Sequence, residues 1–284
     1  TETGKPVEIT VNTTEGTNPV LTGPDRKGWG VEYIHRYGDG YEFYFLSNQE
    51  YFPVSTDVSF RVKGKVPEFW HADSGLIEEA PLWREENGRT VIPMEFDPSG
   101  SVFVVFKESS SGIDQVVGIK GLENSEVKSV RLKTTNEEIQ AYVSKSGKWE
   151  LTTKSGKKMQ IKANVNDEVI VGGNWNITFP VRGTFKSAQM GATSWTTHSD
   201  DDIRCFSGTA TYAKIINVDK SLIGKNKRLW LDLGDVRDIA EVTLNNKVLD
   251  VLWKSPYRLD ITDYVVKGEN NLVIDVTNTW VNRL

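Results

Sequence analysis

The sequence predicts an all-β protein made of two successive β-sandwich domains, and three features carry that reading. Short runs that are apolar throughout, or that alternate apolar with polar residues, recur along the chain, as strands facing a core on one side require. Clusters of Gly, Pro, Asn, Asp and Ser interrupt them at the spacing of turns. A long amphipathic helix pattern is not found. The 284 residues suffice for one large or two ordinary domains, because single cores stop growing at roughly 250–300 residues; two is the expectation.

Residues 1–23, dense in Thr, Gly and Asn, read as a linker or as the tail of an upstream domain. The first residue is Thr1, so a mature or excised piece is expected. From residue 24 the runs EFYFLS, DVSFRV, RTVIPMEF and SVFVVFK read as sandwich strands. DQVVGIK, SVRLKTT, IQAYVSK, KWELTT and KMQIKAN continue as a shallower appended sheet, with Lys145-Ser146-Gly147 and Lys154-Ser155-Gly156 as hairpin turns. After Asn166 the composition shifts toward Trp, Gly and longer apolar strands, which divides the chain into domains at 24–165 and 166–284.

The second domain is read from IVGGNWNITF, FSGTATYAKIINV, RLWLDLG, IAEVTLNNKVLDVLW, YRLDIT and NLVIDVTNTW. Leu229, Leu231 and Leu233 alternate with Trp230 and Asp232, so one strand face is buried and the other partly polar. Asn245-Asn246 sits where two strands reverse over two residues, and Asn tolerates the positive φ of such a turn. DITDYVVKGENNL predicts a one-turn helix begun by Thr262 or Asp263 and ended by Gly268. The run Ser207, Gly208, Thr209, Ala210 is unusually small and hydroxylic for a strand. It suits tight packing under a loop carrying Trp195, the favoured reading, or a shallow concave face where Phe206, Ser207 and Thr209 give a sugar room and hydrogen bonds.

A net charge of −5 supplies no basic field for a polyanion, so nucleic acid is not an expected partner and a neutral ligand fits better. The single cysteine, Cys205, excludes an internal disulfide and reads as a half-buried thiol. No run approaches the roughly 18–20 apolar residues of a membrane span, and no basic-then-apolar leader opens the chain.

The order of the second half, from the long strand ending in INV to VTNTW, is the run found in galactose-binding-like jelly rolls. The blocks VEYIHRYGDGYEFYFLSNQ, PEFWHADSG, SWTTHSDDDIRCFSGTATY, LDLGDVRDIAEVTLNNKVLDVLWKSPYRLDIT and VTNTWVNRL resemble the carboxy-terminal region of the α-L-rhamnosidases of glycoside hydrolase family 106, from about residue 21 to the end. The hairpin carries Asn-Asn where that family usually has Asn-Gly, and the chain stops at Leu284 where family members continue. The resemblance implies an inverting glycosidase whose catalytic glutamates and calcium lie in an upstream (β/α) barrel absent from this chain. The fragment would then be the non-catalytic, β-rich companion of that barrel, in contact with rhamnose-containing polysaccharide. Polysaccharide chemistry favours a periplasmic or secreted location. The alternative is a free-standing carbohydrate-binding module.

The residues themselves agree with a non-catalytic role. Inverting glycosidases need two carboxyl groups about 6.5–9.5 Å apart across the sugar, whereas Glu78-Glu79, Glu85-Glu86 and Glu137-Glu138 read as solvated strand edges. Asp200, Asp201 and Asp202, beside Thr196 and Ser199, are candidate ligands of a structural calcium, though without the graded spacing of a dedicated loop; otherwise no cofactor is expected. His35, His71 and His198 are too scattered for a metal triad, and no nucleophile elbow or phosphate loop is present. Sugar contact calls for an aromatic face beside planar polar groups. The candidates for carbohydrate or interdomain contact are His35-Arg36 before the Tyr37–Gly40 turn, Trp70 and His71 in a loop after Pro67, Trp195 with His198, Trp253 with Tyr257 around Pro256, and Asn282 with Arg283 at the closing strand end. Each also has a plain structural reading: a charged hairpin shoulder, a loop-anchoring Trp, a plug for the sandwich end, or solvent exposure.

Overall fold

The computed structural model describes residues 11–12, 30–135 and 138–279. The chain forms two compact units, Thr1–Val165 and Asn166–Leu284, and strands dominate both. Unit 1 runs through β1 (Val11–Asn12), β2 (Val31–Gly38), β3 (Tyr41–Asn48), β4 (Val54–Phe60), β5 (Lys65–Trp70), β6 (Ile77–Glu79), β7 (Arg84–Glu86), β8 (Arg89–Phe96), β9 (Ser101–Ser109), β10 (Val116–Leu122), β11 (Val130–Thr135), β12 (Glu138–Val143), β13 (Gly147–Thr153) and β14 (Lys158–Ala163). One antiparallel sheet is ordered β2-β3-β9-β5-β6 and a second β1-β4-β8-β7. Strand alternation turns Tyr44, Leu46, Val104 and Phe106 of the first sheet toward Val58, Phe60, Ile92, Met94 and Phe96 of the second. The shared core is a β-sandwich, with Tyr44 edge-on to Phe60 at 4.9 Å. Val11 and Asn12 lie inside the segment expected as a linker, yet they pair with Val58 and Asp57 as an edge strand of this sandwich.

The appended strands form a sheet β10-β13-β14 and a separate hairpin β11-β12. Trp149 is fully buried there, its indole N–H donating to the Glu126 carbonyl at 2.9 Å. Lys154-Ser155-Gly156 makes the expected β13-β14 hairpin. Lys145-Ser146-Gly147 does not close one: β12 pairs with β11 and β13 with β10 and β14, so this segment carries the chain from one sheet to another. Ser146 Oγ fixes the crossing by accepting from the Val165 N–H at 2.9 Å.

Unit 2 contains β15 (Trp175–Val181), β16 (Thr184–Met190), the short helix α1 (Asp201–Arg204), β17 (Thr209–Val218), β18 (Trp230–Asp232), β19 (Ile239–Leu244), β20 (Lys247–Leu252), β21 (Arg258–Asp260) and β22 (Gly268–Thr277). A six-stranded sheet, β16-β15-β17-β22-β19-β20, is accompanied by the two-stranded sheet β18-β21. Ile177, Phe179, Ala210, Tyr212, Val242, Leu244, Leu272 and Ile274 from the large sheet pack with Leu231, Leu259, Ile261, Trp195, Ile203 and Phe206. Phe179 meets Trp195 at 5.7 Å and Phe206 at 5.3 Å, both edge to face, a geometry worth about 0.5–1.5 kcal/mol per pair beyond burial.

Asn245 and Asn246 take φ of 51° and 65° and turn β19 into β20 with Leu244 paired to Lys247, as the sequence predicts. Four local expectations are corrected. β17 starts at Thr209: Phe206 donates its N–H to the Ile203 carbonyl at the end of α1 and drops its ring into the core. β15 starts at Trp175, after the glycines of IVGGN. Residues 261–265 close the single turn expected, Tyr264 and Val265 both donating to the Ile261 carbonyl, but Asp260, not Thr262 or Asp263, caps it by accepting from the Thr262 N–H at 2.9 Å. Cys205 is exposed rather than half-buried, because it closes α1 with its backbone while Ile203 and Phe206 take the inward positions.

Candidate functional site

Both Trp70 and His71 were expected in a loop. Trp70 instead ends β5, a strand that admits Pro67 because the register shifts between Lys65 and Pro67. Strand pairing places Ile34, Phe45, Phe103, Trp70 and Ile77 in one row across the five-stranded sheet, on the face turned away from the core. Phe45 and Phe103 are 4.8 Å apart, and Phe43 meets Trp70 edge to face at 6.2 Å across β9. Under these rings Val105, on the same face, is fully buried. The ends of the row stay open, with Ile34 53 % and Ile77 55 % exposed. A polar corner flanks the Trp: its indole N–H donates to Glu68 Oε2 at 2.8 Å, and Lys107 pairs with Glu68 Oε1 at 3.3 Å while lying 6.0 Å from the ring centroid. Phe43, Phe45 and Phe103 escaped the sequence reading, although YEFYFLS and SVFVVF place aromatic residues on both faces of their strands.

His35 and Arg36 part company. β2 extends through both residues, so the reversal is only Asp39-Gly40, and alternation sends the two side chains to opposite faces. His35 stacks on the core residue Tyr44 at 4.2 Å and contacts Glu42 Oε2 through Nε2 at 2.6 Å. Burial, with Glu42 close by, pushes the Tyr44 phenol up to about 12. Arg36 is exposed and bonds to the His35 carbonyl at 3.0 Å. His71 sits in the β5-β6 turn with Nε2 3.1 Å from Glu78 Oε1.

In unit 2, Trp195 is a core residue, 5 % exposed, and presents no ring to solvent. Of the small run only Ala210 is buried, in the core cluster where Trp195 lies 6.1 Å from Phe206 and 6.4 Å from Tyr212, so the packing reading of FSGTATY holds for that residue and not for Ser207, Gly208 or Thr209. Thr209 and Thr211 face the other way, where their hydroxyls meet Thr277 Oγ1 at 2.8 Å and Asp275 Oδ1 at 2.5 Å. His198 Nδ1 accepts from the Asp200 N–H at 3.1 Å, a turn-forming bond. Trp253 is 61 % exposed rather than a plug, with Lys254 5.4 Å from its ring centroid. Tyr257 anchors its loop by donating to the Asp238 carbonyl at 2.9 Å, and burial raises its pKa. Asn282 and Arg283 lie outside the described residues.

The three aspartates belong to the start of α1. Asp200 caps the helix by accepting from the Asp202 N–H at 2.9 Å. Lys186 Nζ lies 2.8 Å from Asp200 and 2.7 Å from Asp202, and Arg204 is 2.6 Å from Asp201. The Lys186 hydrogen bond, foremost among the causes, lowers the pKa of Asp200. Ammonium and guanidinium groups stand where a cation would, and among the described residues no group of three or more His, Cys, Asp or Glu is arranged to hold a metal ion.

Acid–base chemistry on a glycosidic bond needs a carboxyl held protonated in a low-dielectric cleft. Glu241 and Asp275 are cross-strand partners, but both are half-exposed on the outer face of the large sheet. Among the described residues no helix is long and apolar enough to cross a membrane.

Comparison with known proteins finds two families along the chain. The family model for α-L-rhamnosidase matches residues 3–83, and that for the sugar binding domain of glycosyl hydrolases family 2 matches residues 133–283. The structure of a rhamnosidase from Novosphingobium sp. PP1Y aligns with 97 % of this chain at 29 % identity and a TM-score of 0.66. A curated protein of Formosa agariphila named "Putative beta-glucuronidase" is 43 % identical over 133 residues, 46 % of this chain. A β-glucuronidase from an uncultured Clostridium sp. aligns with 42 % of this chain and 24 % of its own, at 22 % identity and a TM-score of 0.34. The chain spans 21 % of the solved rhamnosidase and 11 % of the Formosa protein.

Proposed function

Because the chain belongs to the family of sugar binding domains of glycosyl hydrolases family 2, we propose that it is the non-catalytic, carboxy-terminal part of an α-L-rhamnosidase-like glycoside hydrolase. In this reading it supports a catalytic barrel carried elsewhere in the parent protein and contacts rhamnose-containing polysaccharide. The observation that carries the proposal is the similarity to a rhamnosidase over 97 % of this chain but only 21 % of that protein. The aromatic row Ile34–Phe45–Phe103–Trp70–Ile77 is the surface suited to buttressing, since an outward apolar stripe across five strands is costly in water unless something covers it. Residues 166–284 then act as a galactose-binding-like jelly roll, and residues 24–165 as the sandwich that meets the barrel.

Two assays with an aryl α-L-rhamnoside test this. The 284-residue chain alone is expected to release no rhamnose. Mixed with the separately produced catalytic region of the parent polypeptide, it is expected to bind that region and raise its activity or thermal stability, and Phe103→Asp is expected to weaken the association. Hydrolysis by the chain alone, or failure to associate, would sink the proposal.

A further inference from the structure

The side of unit 2 formed by β18 and β21 carries a constellation that the sequence announces only in part, through the alternation that turns Trp230 and Asp232 to one partly polar face. The two strands pair Trp230 with Asp260, Leu231 with Leu259 and Asp232 with Arg258. Leu231 and Leu259 point into the core, 8 % and 7 % exposed, so alternation turns Trp230, Asp232, Arg258 and Asp260 outward together. Trp230 is left 53 % exposed, a large apolar ring in water. The Arg258 guanidinium lies 5.6 Å from its centroid, a cation–π distance.

The polar groups around the ring differ in how their bonding capacity is used. Asp260 is occupied: Oδ2 takes Arg228 Nη1 at 2.9 Å, and Oδ1 takes the Thr262 N–H at 2.9 Å and hydroxyl at 2.5 Å. It is a fixed wall. Arg258 makes no side-chain hydrogen bond or ion pair among the described residues, and its fork of donors is held in place only by the ring. Asp232 uses Oδ1 to accept from the Gly234 N–H at 2.8 Å and keeps its remaining acceptor capacity beside Arg258.

We infer that Trp230, Arg258 and Asp232 form a binding site for one neutral pyranose ring of a glycan. The C–H face of the sugar lies on the indole, and neighbouring hydroxyls accept from Arg258 and donate to Asp232. The charge count favours a neutral ring over an anionic one, because Arg228 and Arg258 are balanced by Asp232 and Asp260. The choice of ligand class rests on the sugar-associated reading above; the location rests on this geometry alone.

The test is an NMR titration of the 15N-labelled 284-residue chain with the methyl glycosides of rhamnose, galactose, glucose and glucuronic acid, the Trp230 indole signal being assigned with Trp230→Phe. At least one neutral glycoside is expected to move the Trp230 indole and Arg258 side-chain resonances. Trp230→Ala is expected to weaken that affinity about tenfold or more, Arg258→Ala several-fold, and Trp230→Phe, which keeps a smaller ring, less than Trp230→Ala. Phe185→Ala, at a 77 % exposed ring on the large sheet, is expected to change nothing. The site is overturned if no neutral glycoside moves these signals, if binding survives Trp230→Ala undiminished, or if only the glucuronide binds. Those failures leave the supporting role intact if the chain still associates with the catalytic region, whereas hydrolysis by the chain alone would strike the role and not the site.

Discussion

At the scale of the residue, Asn245 and Asn246 show how one dipeptide divides its labour. Both carry positive φ, but only Asn245 is also a node of hydrogen bonds: its amide donates to the Tyr264 carbonyl at 3.0 Å and Asn270 Oδ1 at 2.8 Å, and its Oδ1 accepts from the Asn271 N–H at 3.0 Å. Asn270 is itself buried, 1 % exposed, and ties the Val266 loop to β22 through both of its side-chain atoms. Removing the Asn245 side chain deletes its three hydrogen bonds, to the Tyr264 carbonyl, Asn270 Oδ1 and the Asn271 N–H, whereas Asn246 is needed only for its backbone conformation. Asn246→Gly is therefore expected to shift unfolding stability by no more than about 0.5 kcal/mol, and Asn245→Gly to cost about 1–3 kcal/mol, read as urea midpoints at constant slope. Equal effects from the two would show that the turn conformation alone matters. The turn was legible because its cause is local to four residues. The Asn245–Asn270 bond was not, because it joins positions twenty-five residues apart.

At the scale of the element, β10 shows why some strand positions must be glycine. A Cβ on Gly121 would stand 1.8 Å from the Ser125 carbonyl oxygen, which is backbone and cannot swing aside. On Gly118, in the same strand, it would meet nothing within 4 Å. Gly121→Ala is expected to destabilise unit 1 by about 1–3 kcal/mol and to perturb the fluorescence of Trp149, whose cross-strand partner is Gly121. Gly118→Ala is expected to stay within about 0.5 kcal/mol of the parent. Two glycines three residues apart look alike in sequence; the reversal after Leu122, with Glu123 and Asn124 at positive φ, separates them.

At the scale of the whole molecule, each unit closes its core over a tyrosine, Tyr44 in one and Tyr212 in the other, 1 % and 8 % exposed. Burial pushes each phenol from 10.0 to about 12. A raised tyrosine pKa means that the folded state favours the neutral phenol, so the stability it confers is complete below pH 10 and is lost as pH rises through about 12. Each unit is expected to lose up to about 3 kcal/mol over that window. In Tyr212→Phe the loss is expected to shrink in unit 2, leaving only the part that the raised Tyr257 phenol contributes, while unit 1 keeps its own, measured by chemical denaturation at successive alkaline pH values. An unchanged alkaline slope would mean that Tyr212 ionises as freely in the fold as in the open chain.

The all-β class, the sandwich strands and the Asn-Asn hairpin were determined by the sequence itself, because alternation and turn chemistry act over a few neighbouring residues. The family resemblance was legible for the same reason, being carried by contiguous blocks such as VEYIHRYGDGYEFYFLSNQ. What only the tertiary structure decided is which side chains share a surface. Trp195, a candidate for sugar contact in the sequence, fills a core, while Trp253, which also reads as a plug for the sandwich end, faces solvent. Three aspartates that suit a cation by composition are met by side-chain cations instead, Asp200 and Asp202 by Lys186 from β16 and Asp201 by Arg204. The row through Ile34, Phe45, Phe103, Trp70 and Ile77 exists only once four strand pairings have set its register. Long-range pairing puts distant residues side by side, and no local pattern encodes that neighbourhood.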